Sequence, residues 1–139
     1  MQDFELDPRL ARDTFPVGKI AGCQLLLMND SRYRWLILVP EIPGVTELHE
    51  LDNTTFDQVS QAIKSISREL QAITNACKMN VAALGNQVPM LHVHIVARQQ
   101  HDAAWPGPIW GHGEAVPYSE PQRQQLITEL AARLLTPQA

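Results

Sequence analysis

The sequence predicts an α+β fold: an antiparallel sheet with one long helix and a C-terminal helix packed on it. Three observations carry this. Short apolar runs bounded by turn residues recur in both halves of the chain. A single stretch after residue 52 spaces its apolar residues three and four apart over some five turns. A capping sequence followed by a second stretch of that spacing closes the chain.

The elements follow in order. Cys23–Met28 is an apolar run that stops at Asn29-Asp30-Ser31, a turn cluster. Trp35–Val39 is a second run, closed by Pro40, and the polar segment between them is short enough for a hairpin connection. Pro43-Gly44 marks a turn. Asp52, Asn53 and Thr54 each offer an N-cap oxygen to the helix that follows. Its apolar stripe is Phe56, Val59, Ile63, Ile66, Leu70 and Ile73, with Lys64, Ser65, Arg68 and Glu69 facing away. Met79–Leu84 and Leu91–Ala97 are strand-like and flank Gly85-Asn86-Gln87-Val88-Pro89, a turn-forming loop. Periodicity is lost from 98 to 118, where Trp105 and Trp110 sit among prolines and glycines; both read as pinning the loop, with stacking on a base as the alternative. Ser119 then caps a helix, with Gln122 three residues on and Leu126, Ile127, Leu130, Ala131, Leu134 and Leu135 as its apolar face.

Composition narrows the function classes. The 139 residues amount to one domain, and 45% hydrophobic content supports a folded core. Eleven basic residues against fifteen acidic give a net charge of −4, which argues against wrapping nucleic acid on a basic surface. No apolar run approaches the roughly 20 residues of a membrane-spanning helix. The start MQDFELDPRL has neither the basic end nor the apolar stretch of a signal peptide, so a cytoplasmic location is expected. Cys23 and Cys77 read as reduced core thiols.

Chemistry concentrates in Met90-Leu91-His92-Val93-His94-Ile95-Val96. Strand alternation places Met90, His92, His94 and Val96 on one face and Leu91, Val93, Ile95 and Ala97 on the other, under the long helix. Two imidazoles presented side by side suit three readings: a metal pair, a nucleophile with its neighbouring acid or donor, or two histidines without a role. His49, His101 and His112 lack motif spacing to the pair, and His49 reads as structural. Asn29 reads as a turn residue and Arg98 as a surface arginine.

The segment Asn80 to Arg98 resembles the signature of the histidine-triad (HIT) superfamily, three histidines alternating with apolar residues. Leu27-Met28-Asn29, Leu36–Pro40 and Glu47–Leu51 fall in the order and spacing of that family's N-terminal half, so the resemblance spans roughly residues 4–100. The bacterial diadenosine-tetraphosphate hydrolase-like branch is the most similar. The resemblance implies a HIT-like fold, with a HIT domain over 1–110 and a C-terminal loop and helix over 111–139 packed on the same domain. It implies a homodimer, a small nucleotide substrate, and cleavage at the α-phosphorus of a nucleoside polyphosphate or phosphoramidate. On that basis His92 matches the nucleophile and His94 the phosphate-contacting histidine. Asn29 matches the ribose-contacting residue. Substrate contacts are further implied at Asn80, Gly85, Asn86, Gln87, Val88 and Met90. No cofactor is required, though magnesium could accompany the substrate. Three departures stand out. Met90 replaces the first histidine, Asn86 stands where glutamine is commoner, and Asn80 is one residue closer to His92 than its usual counterpart. Two alternatives follow: a nucleotide-binding HIT protein with little turnover, or a metal-binding His-x-His protein.

Overall fold

The computed structural model describes residues 3–135. Helix α1 (Pro8–Asp13) leads into strands β1 (Thr14–Ile20), β2 (Cys23–Met28) and β3 (Arg34–Pro40). A 3-10 turn at Leu48–Glu50 precedes helix α2 (Asn53–Thr74), followed by β4 (Lys78–Ala82), β5 (Val93–Arg98) and α3 (Glu120–Leu134). The strands form one antiparallel sheet in the order β1-β2-β3-β5-β4, so the histidine strand lies inside it and β4 is an edge.

The predicted hairpin is present as β2 and β3, and the predicted long helix runs from an Asp52 cap, whose carboxylate accepts the Thr55 N–H at 2.7 Å, to Asn75 in the left-handed region. Its buried stripe is Val59, Ala62, Ile66 and Leu70, with Ile63 and Ile73 packed alongside. Phe56 departs from the expectation: in the first turn it is 42% exposed, because the stripe meets the core only from Val59 onward. Ser119 and Gln122 form the predicted capping box of α3, whose Leu126, Leu130 and Leu134 join the same core.

Two elements were not predicted. Asp7-Pro8 is an N-cap followed by proline at the first helical position, and it starts α1. Strand β1 escapes the alternation rule because Pro16 and Gly18 interrupt it; the pairing with β2 slips there, as at a β-bulge. The predicted strand over 79–84 ends at Ala82, and the predicted strand over 91–97 begins only at Val93, because the Leu91 N–H is taken by the Val45 carbonyl.

The two faces of the sheet carry different layers. Leu91, Val93, Ile95 and Ala97 lie in the core under α2, as the alternation predicted. On the opposite face, Leu10, Leu26, Ile37 and Val39 form a cluster with Met90 and Val88 at its margin, and Tyr33, Val96, Ala104 and Ile109 form another under the 99–118 loop. Among the described residues, no helix is long and apolar enough to cross a membrane. Cys23 is buried, but Cys77 is exposed rather than in the core.

Candidate functional site

A cavity of about 360 Å³ opens on the face opposite α2. His92 and His94 line it with the loop residues Gly85, Asn86, Gln87 and Val88; Trp35 and Trp110 wall one side. A larger cleft of about 660 Å³ elsewhere holds neither histidine of the pair.

The backbone explains how the pair is presented. His94 sits on β5 opposite Ile37 of β3, and Trp35 is the diagonal neighbour two residues along the same face. His92 lies just before the strand. The two rings meet edge to face with centroids 4.8 Å apart, and both residues are about 95% buried. The loop over residues 85–88 is tied down from the N-terminal segment: Arg9 Nη1 donates to the Gln87 carbonyl at 2.8 Å. Gly85 takes φ +72°, a left-handed conformation that favours glycine at this turn.

Hydrogen bonds assign the protons on the two rings. His92 Nδ1 lies 2.7 Å from the Met90 carbonyl, which can only accept. Nδ1 therefore carries the proton, and Nε2 of neutral His92 holds a free lone pair. His94 has the reverse arrangement. The Trp35 Nε1–H donates to His94 Nδ1 at 2.9 Å, so neutral His94 carries its proton on Nε2. Burial pushes the His94 pKa down to about 3, with the nearby His92 adding to the effect, so His94 is neutral at physiological pH.

The residues expected around the pair divide into two groups. Gly85, Asn86, Gln87 and Val88 line the cavity with His92 and His94. Asn29, Asn80 and Met90 do not line it. Asn29 Oδ1 accepts the Tyr118 N–H at 2.9 Å and fastens the chain leading into α3. Asn80 Oδ1 accepts from Arg98 Nη1 at 2.8 Å. Met90 packs beside Leu10, Leu26, Ile37 and Val39, and its sulfur accepts the Asp7 N–H at 3.4 Å.

Arg98 is not the surface residue expected. It is 2% exposed, forms a two-point ion pair with Asp102 at 2.8 and 3.0 Å, and donates to the Gly107 carbonyl at 2.8 Å. Asp102 in turn accepts the N–H groups of Gln99, Ala104 and Trp105. The aperiodic loop is thus a folded cap, and it delivers Trp110 to within 5.4 Å of the His94 ring. Trp105 lies under the Arg98 guanidinium, a packing role as expected, while Trp110 is a cavity wall. Sequence reading also missed Trp35, whose place opposite Val96 in the strand register was not visible before β3 and β5 were paired.

The side chains lining the cavity include one carboxylate, Asp13, and no lysine or arginine. Among the described residues, no group of three or more His, Cys, Asp or Glu side chains is placed to hold a metal ion. The site can offer one imidazole lone pair, one neutral imidazole N–H, and loop amides.

A model of the HIT domain matches residues 10–101 of the chain. Solved structures agree closely. A histidine triad (HIT) protein from Sinorhizobium meliloti is 40% identical, with 94% of this chain and 97% of that one covered at a TM-score of 0.92. A histidine triad protein from Bradyrhizobium japonicum is 39% identical over 96% and 99% of the two chains, at 0.93. One from Marinobacter aquaeolei is 42% identical over 96% and 98%, at 0.94. A search of curated proteins gives no match. The domain match takes in the sheet and the histidine strand, and the structural likeness extends over α3 as well: the chain belongs to the histidine triad (HIT) family.

Proposed function

We propose that the protein binds a small nucleotide in the His92–His94 cavity and cleaves it at the α-phosphorus. The observation that carries this reading is the His92 Nδ1–H···O=C bond to Met90, which in the neutral ring puts the lone pair on Nε2, on a residue that lines the cavity. His92 Nε2 attacks the α-phosphorus of a nucleoside polyphosphate or phosphoramidate. The bond to the leaving group breaks, and a nucleotidyl-imidazole forms. Water then attacks the same phosphorus, releasing the nucleoside monophosphate and returning the electron pair to Nε2. Charge gathers on the nonbridging oxygens in both steps. The His94 Nε2–H and the amides of loop 85–88 are donors for them, each worth roughly 3 kcal/mol by the loss seen when an oxyanion donor is removed. No resident metal takes part in these steps; magnesium would enter with the substrate.

The test is AMP release from diadenosine polyphosphates and from adenosine phosphoramidates, by wild type and His92→Ala. We expect loss of roughly a thousandfold or more in the variant, as for other covalent nucleophiles. Equal rates would overturn the nucleophile assignment. A second reading, nucleotide binding with little turnover, is favoured by Met90 in place of the first histidine; tight AMP binding with no product from either protein would support it. We also propose a homodimer formed along the β4 edge, where Val81 is 46% exposed and Leu84, just past the strand, is 45% exposed. Light scattering of the eluting protein gives the mass, and a monomer at micromolar concentration would overturn this.

A further inference from the structure

We propose that Trp35 is a positioning residue for His94, locking the ring in the tautomer that presents a neutral N–H donor to the cavity. This rests on the nucleotide-cleaving reading for its functional consequence, though the tautomer itself does not depend on it.

The argument is one of supply and demand for protons. A neutral imidazole has one N–H and one lone pair. The indole Nε1–H can only donate, and it lies 2.9 Å from His94 Nδ1, so the lone pair is held there and the proton must be on Nε2. Two residues earlier, just before the strand, His92 takes the opposite tautomer through the Met90 carbonyl, so nearness in sequence does not fix the choice. The selecting group comes from another strand. Trp35 lies on β3, diagonal to His94, and its indole is itself fixed by edge contacts to Tyr33 and Trp110 at 6.4 and 6.5 Å. The ring that delivers the N–H is therefore packed before any ligand enters.

The consequence is a division of labour between two adjacent, chemically identical side chains. One ring shows phosphorus a lone pair, and the other shows its oxygen a proton. With the opposite tautomer, His94 would turn a lone pair toward an anionic oxygen, and the donor would become a repulsive acceptor. A single indole N–H, remote from the phosphorus, thereby sets the sign of the contact.

Two replacements remove the N–H. Trp35→Phe keeps an aromatic ring, and exchange of Trp35 for its benzothienyl analogue keeps the full shape if the phenylalanine variant does not fold. Histidine labelled with nitrogen-15 reports the tautomer of each ring by two-bond proton–nitrogen correlation, without substrate. In the wild type we expect His92 protonated at Nδ1 and His94 at Nε2. Without the indole N–H we expect His94 to show both tautomers and His92 to be unchanged. In turnover we expect kcat to fall about tenfold with KM little altered, a fraction of the loss on deleting an oxyanion donor outright. A wild-type His94 protonated at Nδ1 would overturn the proposal at once, whatever the protein hydrolyses. So would a pure Nε2 tautomer in the benzothienyl protein, or an unchanged kcat beside an altered tautomer. A wild type with the expected tautomers but no turnover would instead count against the nucleotide-cleaving reading and leave the lock standing.

Discussion

Replacing Arg98 by methionine tests whether the loop after the histidine strand is held by its buried ion pair. Methionine keeps much of the aliphatic stem and loses four hydrogen bonds: two to Asp102, one to Asn80 and one to the Gly107 carbonyl. The Asp102 side chain is 5% exposed, so its charge is left buried without a cation. Breaking such a pair on one side costs about 3–5 kcal/mol. Three backbone N–H groups still point at the Asp102 carboxylate, which places the expected loss near the lower end, about 3 kcal/mol. Urea unfolding followed by circular dichroism measures it directly. The companion variant Asp102→Asn removes the charge and keeps an acceptor for the loop. In that background Arg98→Met should cost less by about 2 kcal/mol, the coupling of residues in one network. A loss under about 1 kcal/mol, or strictly additive variants, would refute the reasoning. The same variant should weaken AMP binding, since the loop it loosens carries Trp110 to the cavity.

Three further outcomes are expected. His94 is protonated in the unfolded chain below about pH 6.5 but stays neutral in the fold down to about 3, so the unfolded state binds the extra proton between these values. Stability should be full above pH 6.5 and fall by up to ~1.4 kcal/mol per unit below it; the urea midpoint of His94→Phe should fall less steeply between pH 6.5 and 4.5, and parallel curves would contradict this. Met90→His places a polar ring beside Leu10, Leu26, Ile37 and Val39, so it should cost roughly 1–3 kcal/mol and should not raise AMP release; a tenfold gain in rate would show that position 90 acts through its side chain. Asp52→Ala removes the cap of α2 and should lower stability by about 1 kcal/mol in thermal or urea unfolding, with no change in the tautomers of the histidine pair.

What the sequence made legible is what a repeating spacing encodes. The α2 stripe, the alternation from Met90 to Ala97 and the Ser119 box are each set by neighbours in the chain, and all three are found in the fold. Strand β1 was hidden because its bulge at Pro16 and Gly18 breaks the period-two signal that identifies a strand. Arg98 was misread for a different reason. Burial of an arginine depends on the partners that accept its five donors, and those partners are Asn80, Asp102 and Gly107, distributed over an edge strand and an aperiodic loop. The cavity shows the same division. Its histidines and its loop 85–88 lie close in sequence and were named from it, whereas Trp35 and Trp110 arrive from 59 and 16 positions away through sheet register and loop closure.

Met90 bears on the same distinction between what side chains and backbone supply. A triad reduced to two histidines looks deficient when residues are counted as side chains. At this position the group that touches His92 is the main-chain carbonyl, 2.7 Å from Nδ1, and every residue type carries one. Exchange of histidine for methionine leaves that acceptor in place, and with it the free lone pair on Nε2. The methionine side chain points elsewhere, to the Asp7 N–H and the apolar cluster around Leu10 and Ile37, where it fastens the N-terminal segment across the start of the histidine strand. An imidazole there would have to satisfy two ring nitrogens in a largely apolar setting. The substitution therefore changes how the site is braced and leaves unchanged the bond that sets the His92 tautomer.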